Sequence, residues 1–271
     1  MTELPGSRAF QITAFWAWIG LLFLFLPLIV IVPVSFTPNR WLSLPGGDWS
    51  LQHYADLIGD ETWRRSALDS AIVAFGATFA ATALGTIGAI GCWRVSSGLS
   101  DVARALMLIP IVIPSIVDAL GFYQALVQFR LTDTYFGVII AHTMKGIPYV
   151  VISVSAALAN FDLRLEQAAR GLGANMILAV RRVVLPSIRP GIIAGAFFAF
   201  ITSWDDLVIN LFIAGRRVST LPRRIWNSIQ DNIDPAVASV ATLLMLITLC
   251  GILAYLSLER RNAVLDQKEE S

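Results

Sequence analysis

Residues 160–191 read NFDLRLEQAARGLGANMILAVRRVVLPSIRPG, a polar and basic stretch set between apolar runs over 136–158 and 191–213. Asp162 is a helix-capping residue standing before LRLEQAAR, so a short helix is expected over 163–170. Gly171 and Gly173 interrupt it. A second helical run over 174–184 is expected to stop before Pro186, whose ring clashes with the preceding turn. In the first helix Leu165, Ala168, Ala169 and Leu172 recur at helical spacing, with Arg164 and Arg170 elsewhere around it. A small-residue, partly apolar face of this kind suits entry into a groove on another protein. The same basic, amphipathic segment would also suit a rest on anionic lipid.

Outward from this loop the chain is dominated by six long apolar stretches, over 15–36, 67–92, 103–128, 136–158, 191–213 and 237–258. Each is long enough for a bilayer core of about 30 Å at roughly 1.5 Å per residue. They lack the alternation of barrel strands, and lipid offers the backbone no hydrogen bonds, so each is expected to be a helix. The composition agrees: of 271 residues 56% are apolar and only 14% charged, too little charge to coat a soluble globule. The first run follows Arg8, is longer than a signal-peptide core and lacks a small-x-small cleavage site, so a retained anchor helix is expected. Ala80, Ala81, Ala83, Gly85, Gly88 and Gly91 give the second run a small-residue face for close helix contact. Pro110 and Pro114 are expected to kink the third run and Pro148 the fourth. The chain therefore reads as one all-α integral-membrane domain.

Several function classes drop out. A net charge of +1 gives no basic face for nucleic acid. Cys92 and Cys250 build no disulfide framework, and His53 and His142 lack zinc-site spacing. Neither Lys145 nor Lys268 follows a glycine, so there is no phosphate-binding G-x-x-x-x-G-K-[ST] loop and no expected ATPase or cofactor site on this chain. Loop charge favours both termini in the cytoplasm: Arg164, Arg170, Arg181, Arg182 and Arg189 then lie inside. Arg216, Arg217, Arg223 and Arg224 lie outside. That outer arginine cluster is expected to meet an acidic partner, and Trp41, Trp49 and Trp63 to anchor the interface.

The loop's wording resembles the cytoplasmic coupling loop of bacterial ABC importer permeases, whose pattern is E-A-A, three residues, G, nine residues, I-x-L-P. Ala168-Ala169 stand four residues before Gly173, Leu185-Pro186 fall at the family distance beyond it, and Val183 takes the place of Ile. Gln167 holds the position of the motif's Glu, with Glu166 one residue earlier, and Gly171 replaces a common acid. The resemblance implies a type I importer permease fold with six transmembrane helices in the bacterial inner membrane. It also implies two ATP-binding subunits carrying ATP and Mg, a second permease subunit, related or identical, and an extracytoplasmic solute-binding protein. Docking of the 163–170 helix on the ATPase would then rest on small-residue shape. Ser203-Trp204-Asp205-Asp206-Leu207-Val208-Ile209, Leu221-Pro222, Pro235, Ala241-Thr242-Leu243, and His142 with Pro148 further resemble the spermidine and putrescine permeases.

Ionisable residues inside membrane spans mark solute paths by default. Asp118, Lys145 and Asp205 fall at roughly 20 Å from the cytoplasmic ends of their runs, with Asp206 beside Asp205. Carboxylates outnumber the single ammonium, which favours a cationic solute; an Asp–Lys pair that only holds helices together is the competing reading. Tyr123 and Trp204 are expected to face alkyl chains or ammonium groups, or simply to pack. Lys145 leaves open a zwitterionic amino compound such as an amino acid derivative or opine. A secondary transporter would show two related halves, and the sequence shows none. An intramembrane enzyme would need a catalytic constellation, which the residues do not suggest.

Overall fold

The computed structural model describes residues 8–231 and 234–269, and among these every regular element is helical. The chain divides into two compact units, one from its two ends (up to Glu61 and from Asn227), the other from Thr62–Trp226.

The first unit holds α1 (Arg8–Val34), α2 (Gln52–Gly59) and α13 (Ala236–Glu269). Only 6% of the most apolar window of α1 is buried inside the molecule, so the helix turns nearly all of its apolar surface outward. Its end is tied down by polar contacts: Ser35 shares a hydroxyl hydrogen bond of 2.6 Å with Tyr54 of α2. Its carbonyl accepts from the Ser239 hydroxyl of α13 at 3.3 Å.

The second unit begins with α3 (Glu61–Val95), α4 (Gly98–Val112), α5 (Ser115–Gln128) and α6 (Tyr135–Ala159). It continues with α7 (Leu163–Gly171), α8 (Met176–Ala179), a π-helical turn (Val180–Val184), α9 (Leu185–Ser187), α10 (Arg189–Trp204), α11 (Val208–Ile213) and α12 (Leu221–Asp231). Helix α6 is its axis. Gly195 of α10 lies so close that an added Cβ would sit 2.9 Å from the Val150 Cα. Gly85 of α3 would likewise meet the Val150 side chain at 2.8 Å, and Gly146 fits between Ala81 and Ala199. Small residues let these backbones approach without voids, as the small-residue face of α3 predicts. Ala83 and Gly91 fall outside that contact and are exposed.

Among the described residues four helices are long and apolar enough to cross a membrane alone, and up to six spans result if each of two bent pairs counts as one. The third expected run is not merely kinked. α4 and α5 meet at 109°, because Ile113, held extended before Pro114, ends the first helix and Pro114 opens the second. The fifth is shorter than expected: the α8–α9 segment bends by 70° into α10, which ends at Trp204. Asp205 to Leu207 then separate it from α11. By contrast α6 runs unbroken through Pro148. Pro186 does not stop its helix either. The Leu185 amide bonds the Val180 carbonyl, and this wider π turn relieves the register in which the Pro186 ring would clash.

Two apolar clusters form the core. One gathers Val138 and Ala141 of α6 with Ile209, Ile213 and Val218; the other gathers Val150, Val154 and Leu158 with Val184, Ile188 and Ala199. Between them along α6 lie His142, Thr143 and Lys145, so a polar layer is sandwiched in an otherwise apolar bundle.

Candidate functional site

The polar layer brings three of the sequence-predicted charges together. Lys145 Nζ forms an ion pair with Asp206 Oδ2, and it also reaches the Ser115 hydroxyl at 3.4 Å. Asp206 sits at the α10–α11 break. Its other oxygen accepts from the Ile209 amide at 2.7 Å and so caps α11. Asp118, one turn into α5 from Ser115, is 9% exposed and within electrostatic reach of both Lys145 and Asp206. Its Oδ2 is buried without a hydrogen-bond partner. Asp205, by contrast, is exposed at the α10 terminus. Both acids lie in the break between α10 and α11, where the chain buries Asp206 and leaves Asp205 outside. Trp204 stacks on Phe200 with centroids 5.7 Å apart, while Tyr123 remains exposed.

The sequence reading did not assign a site role to Ser115, His142, Ser203 or Asn210. His142 Nδ1 and the Ser203 hydroxyl are 2.8 Å apart and buried. Asn210 is fully buried, and its amide donates to the Asp206 carbonyl four residues earlier. That i, i+4 spacing was the available signal.

Beyond α11 the loop 214–220 wraps around Asp133. The Arg216, Arg217 and Val218 amides donate to its carboxylate at 3.0–3.1 Å. Burial would raise the Asp133 pKa, but these amides and that of Gly215 outweigh it and hold the carboxyl below its ordinary value. Gly215 is required there, since a Cβ would fall 2.5 Å from the carboxyl carbon. Asp69, buried in α3, accepts from the Ser219 amide at 2.8 Å and from the Tyr135 hydroxyl at 2.6 Å. The expected arginine cluster is divided. Arg223 donates to the Asn210 carbonyl at 3.1 Å, and Arg224 lies 5.2 Å over the Trp63 ring. Arg216 and Arg217 stay exposed, and Trp63 is buried at 4% rather than lying at an exposed interface.

In the loop read first, Asp162 caps α7 by accepting from the Arg164 amide at 2.9 Å. Glu166 turns inward to Arg94 at the end of α3, while Gln167 and Ala168 face outward. Gly173, at φ +91°, makes the left-handed turn that only glycine adopts readily. Ala169, Leu172, Gly173, Leu178, Arg182 and Val183 line a shallow cavity of about 310 Å³ between α7 and the π turn. Leu172 is 91% exposed. Leu185 and Pro186 follow on the half-buried side.

A polar layer on a bent-helix bundle, served by an exposed interhelical loop, is the anatomy of a transport permease. Residues 81–264 match the family of binding-protein-dependent transport system inner membrane components, and the chain belongs to it. It is a permease component of a binding-protein-dependent ABC importer and a multi-pass inner-membrane protein. It is 28% identical to the spermidine/putrescine transport system permease protein PotC of Haemophilus influenzae, over 94% of this chain and 99% of that one. It is 29% identical to the putrescine transport system permease protein PotI of Escherichia coli K12, over 89% of each. A probable molybdenum ABC transporter permease protein of Haloferax volcanii is 32% identical over 72% of this chain and 76% of that one. In fold it resembles a chain from the crystal structure of a bacterial ABC transporter involved in the import of the acidic polysaccharide alginate. That likeness has a TM-score of 0.71 at 16% identity and covers 94% of this chain and 98% of that one. The type I importer fold expected from the loop is therefore the fold observed, and a secondary transporter is set aside.

Proposed function

We propose that this permease passes a polyamine, or a similar short cationic amine, through the layer formed by Asp118, Lys145 and Asp206. The observation that carries this is the charge of the layer. Two buried carboxylates face one ammonium, and the second carboxylate, Asp118, has an oxygen with no donor. A buried carboxyl oxygen without a donor is costly, and a solute ammonium that donates to it relieves that cost. The names of the PotC and PotI relatives point the same way. A zwitterionic solute finds less support, because the unpartnered group of the layer is a carboxyl oxygen of Asp118 and not an ammonium. Tyr123 and Trp204 supply aromatic surface nearby in sequence, and Asp205 an exposed carboxylate at the approach.

The same reading assigns coupling to the segment from Glu166 to Pro186. Gln167, Ala168, Ala169 and Gly173 form the surface that meets a separate ATP-binding subunit, present in two copies and carrying ATP and Mg. Glu166, Leu185 and Pro186 hold that surface in place. A second permease subunit completes the path and a solute-binding protein delivers to it. Both termini and α7 lie in the cytoplasm, and the loop 214–220 lies outside.

The test is uptake of radiolabelled putrescine by the assembled importer carrying Asp206→Asn or Asp118→Asn, with a zwitterionic amino compound as competitor. Each variant is expected to assemble and to lose at least tenfold in polyamine uptake. Normal uptake by both, or carriage of neutral or anionic solutes only, would contradict the cation path.

A further inference from the structure

Helices α6 and α10 pack antiparallel in a steady register. An added Cβ on Gly191 would meet the Ser153 carbonyl oxygen at 2.9 Å, and one on Gly195 the Val150 Cα at 2.9 Å. Gly146 lies against Ala199, whose Cβ an added Cβ would meet at 3.3 Å. Each step moves about one turn forward along α10 and one turn back along α6. The next step brings Ser203 to His142, and there steric contact gives way to a hydrogen bond of 2.8 Å between the hydroxyl and Nδ1. A further step would carry Asp206 and Leu207 toward Ile139 and Val138. Asp206 pairs instead with Lys145, which lies beyond His142 on α6. The regular packing therefore ends at the His142–Ser203 bond.

His142 and Lys145, three positions apart, share one face of α6, and their partners Ser203 and Asp206 are likewise three positions apart. Between those partners Trp204 stacks on Phe200 of its own helix and Asp205 is exposed, so α6 holds the end of α10 through Ser203. His142 and Ser203 are both buried, and water offers neither group a substitute for the other. Past the break, Asp206 is committed to α11 through the Ile209 amide and the Asn210 side chain. Resting on the reading of Asp206 as part of a polyamine path, we infer that His142 is a positioning residue. By holding Ser203 it fixes where α10 ends, and with that the place of the Asp206 carboxylate in the path. A binding group has to be held to within about 0.5 Å by the hydrogen bonds behind it. Without the bond the end of α10 is free to shift, and one residue of shift carries the carboxylate about 1.5 Å along the axis. His142 touches no solute; it acts through Asp206.

The experiment is initial-rate uptake of labelled putrescine by the assembled importer in proteoliposomes, with each rate normalised to assembled complex. Ser203→Ala and His142→Leu remove the bond while largely keeping the space filled, and each is expected to lower uptake at least fivefold. His142→Asn keeps a hydrogen-bonding atom where Nδ1 stands and is expected to recover at least half of the wild-type rate. On an Asp206→Asn background, Ser203→Ala and His142→Leu are expected to lower the remaining uptake less than twofold further, because the carboxylate they position is already gone. A packing role gives the opposite pattern: His142→Leu near wild type, His142→Asn impaired, and losses that multiply undiminished on Asp206→Asn. Any of those results overturns the inference. If the His142 variants fail to assemble, Ser203→Ala decides, alone and on the Asp206→Asn background. A loss in Asp206→Asn to which the other losses simply multiply sinks the inference alone. Normal uptake by Asp206→Asn, or no putrescine uptake by wild type, sinks the path reading and the inference with it.

Discussion

Arg94 Nη2 and Glu166 Oε1, seventy-two positions apart, lie 2.9 Å from each other, with 16% and 7% of their side chains exposed. The pair fastens α7 to the C-terminal end of α3, so the loop helix is held by an inward acid. Glu166→Ala leaves Arg94 without its carboxylate. Removal of one member of a largely buried pair costs about 3 kcal/mol. The expected outcome is a lower Tm, faster proteolysis between 160 and 190, and rescue of both by a Glu166→Arg, Arg94→Glu exchange.

Docking of α7 by shape makes a different expectation for its outward face. Ala169→Arg puts a bulky charge into the cavity it shares with Leu172 and Val183. Gly173→Asp adds strain of about 1–2 kcal/mol at φ +91°, together with a charge. Both are expected to abolish pull-down of the ATPase and solute uptake. Gln167→Ala, which removes only an exposed amide, is expected to retain most of each. Intact assembly and uptake in Ala169→Arg would show that α7 is not the coupling element.

The loop 214–220 carries its own pH signature. The folded Asp133 carboxyl titrates below its ordinary value, so its contribution is fully present above the unfolded pKa of about 3.9. It is lost as pH falls through the folded value. Hydrogen exchange at the Arg216, Arg217 and Val218 amides should therefore stay protected down to about pH 4 and open below it. Asp133→Asn should remove that pH step and expose the same amides at neutral pH. Continued protection in the Asn variant would mean that other contacts hold the loop.

How much of this was legible in sequence follows from the range of the forces involved. Apolar length marked the membrane helices because lipid forces every backbone group to bond within its own helix. The cap at Asp162 and the turn at Gly173 were legible for the same reason, being settled within a few residues. The 109° break at Pro114 and the π turn before Pro186 were not. A proline signals a lost donor, but whether the helix kinks, breaks or widens depends on its neighbours. The layer was half legible. Asp118, Lys145 and Asp206 announced themselves as charges in apolar runs, yet the choice between Asp205 and Asp206 depends on where α10 ends. Asp133 gave no local sign, since its partners lie more than eighty positions later in the chain.

Asp206→Asn and Asp205→Asn should now separate. Asn at 206 keeps one oxygen for the Ile209 amide but abolishes the ion pair, leaving Lys145 without its carboxylate. At an effective dielectric of about 20 a contact pair is worth roughly 4 kcal/mol before desolvation. Polyamine uptake is expected to fall at least tenfold with assembly retained. Asp205→Asn alters an exposed group and is expected to change uptake less than threefold. Equal losses from the two would show that the exposed carboxylate also touches the solute.

The most direct measurement is uptake of labelled putrescine and spermidine into proteoliposomes holding the importer assembled from this chain, its ATP-binding subunit and its solute-binding protein. Accumulation is expected only with ATP and binding protein both present, and the purified chain alone is expected to hydrolyse no ATP. Accumulation that persists without ATP, or an importer that carries only neutral or anionic solutes, would contradict the central claim.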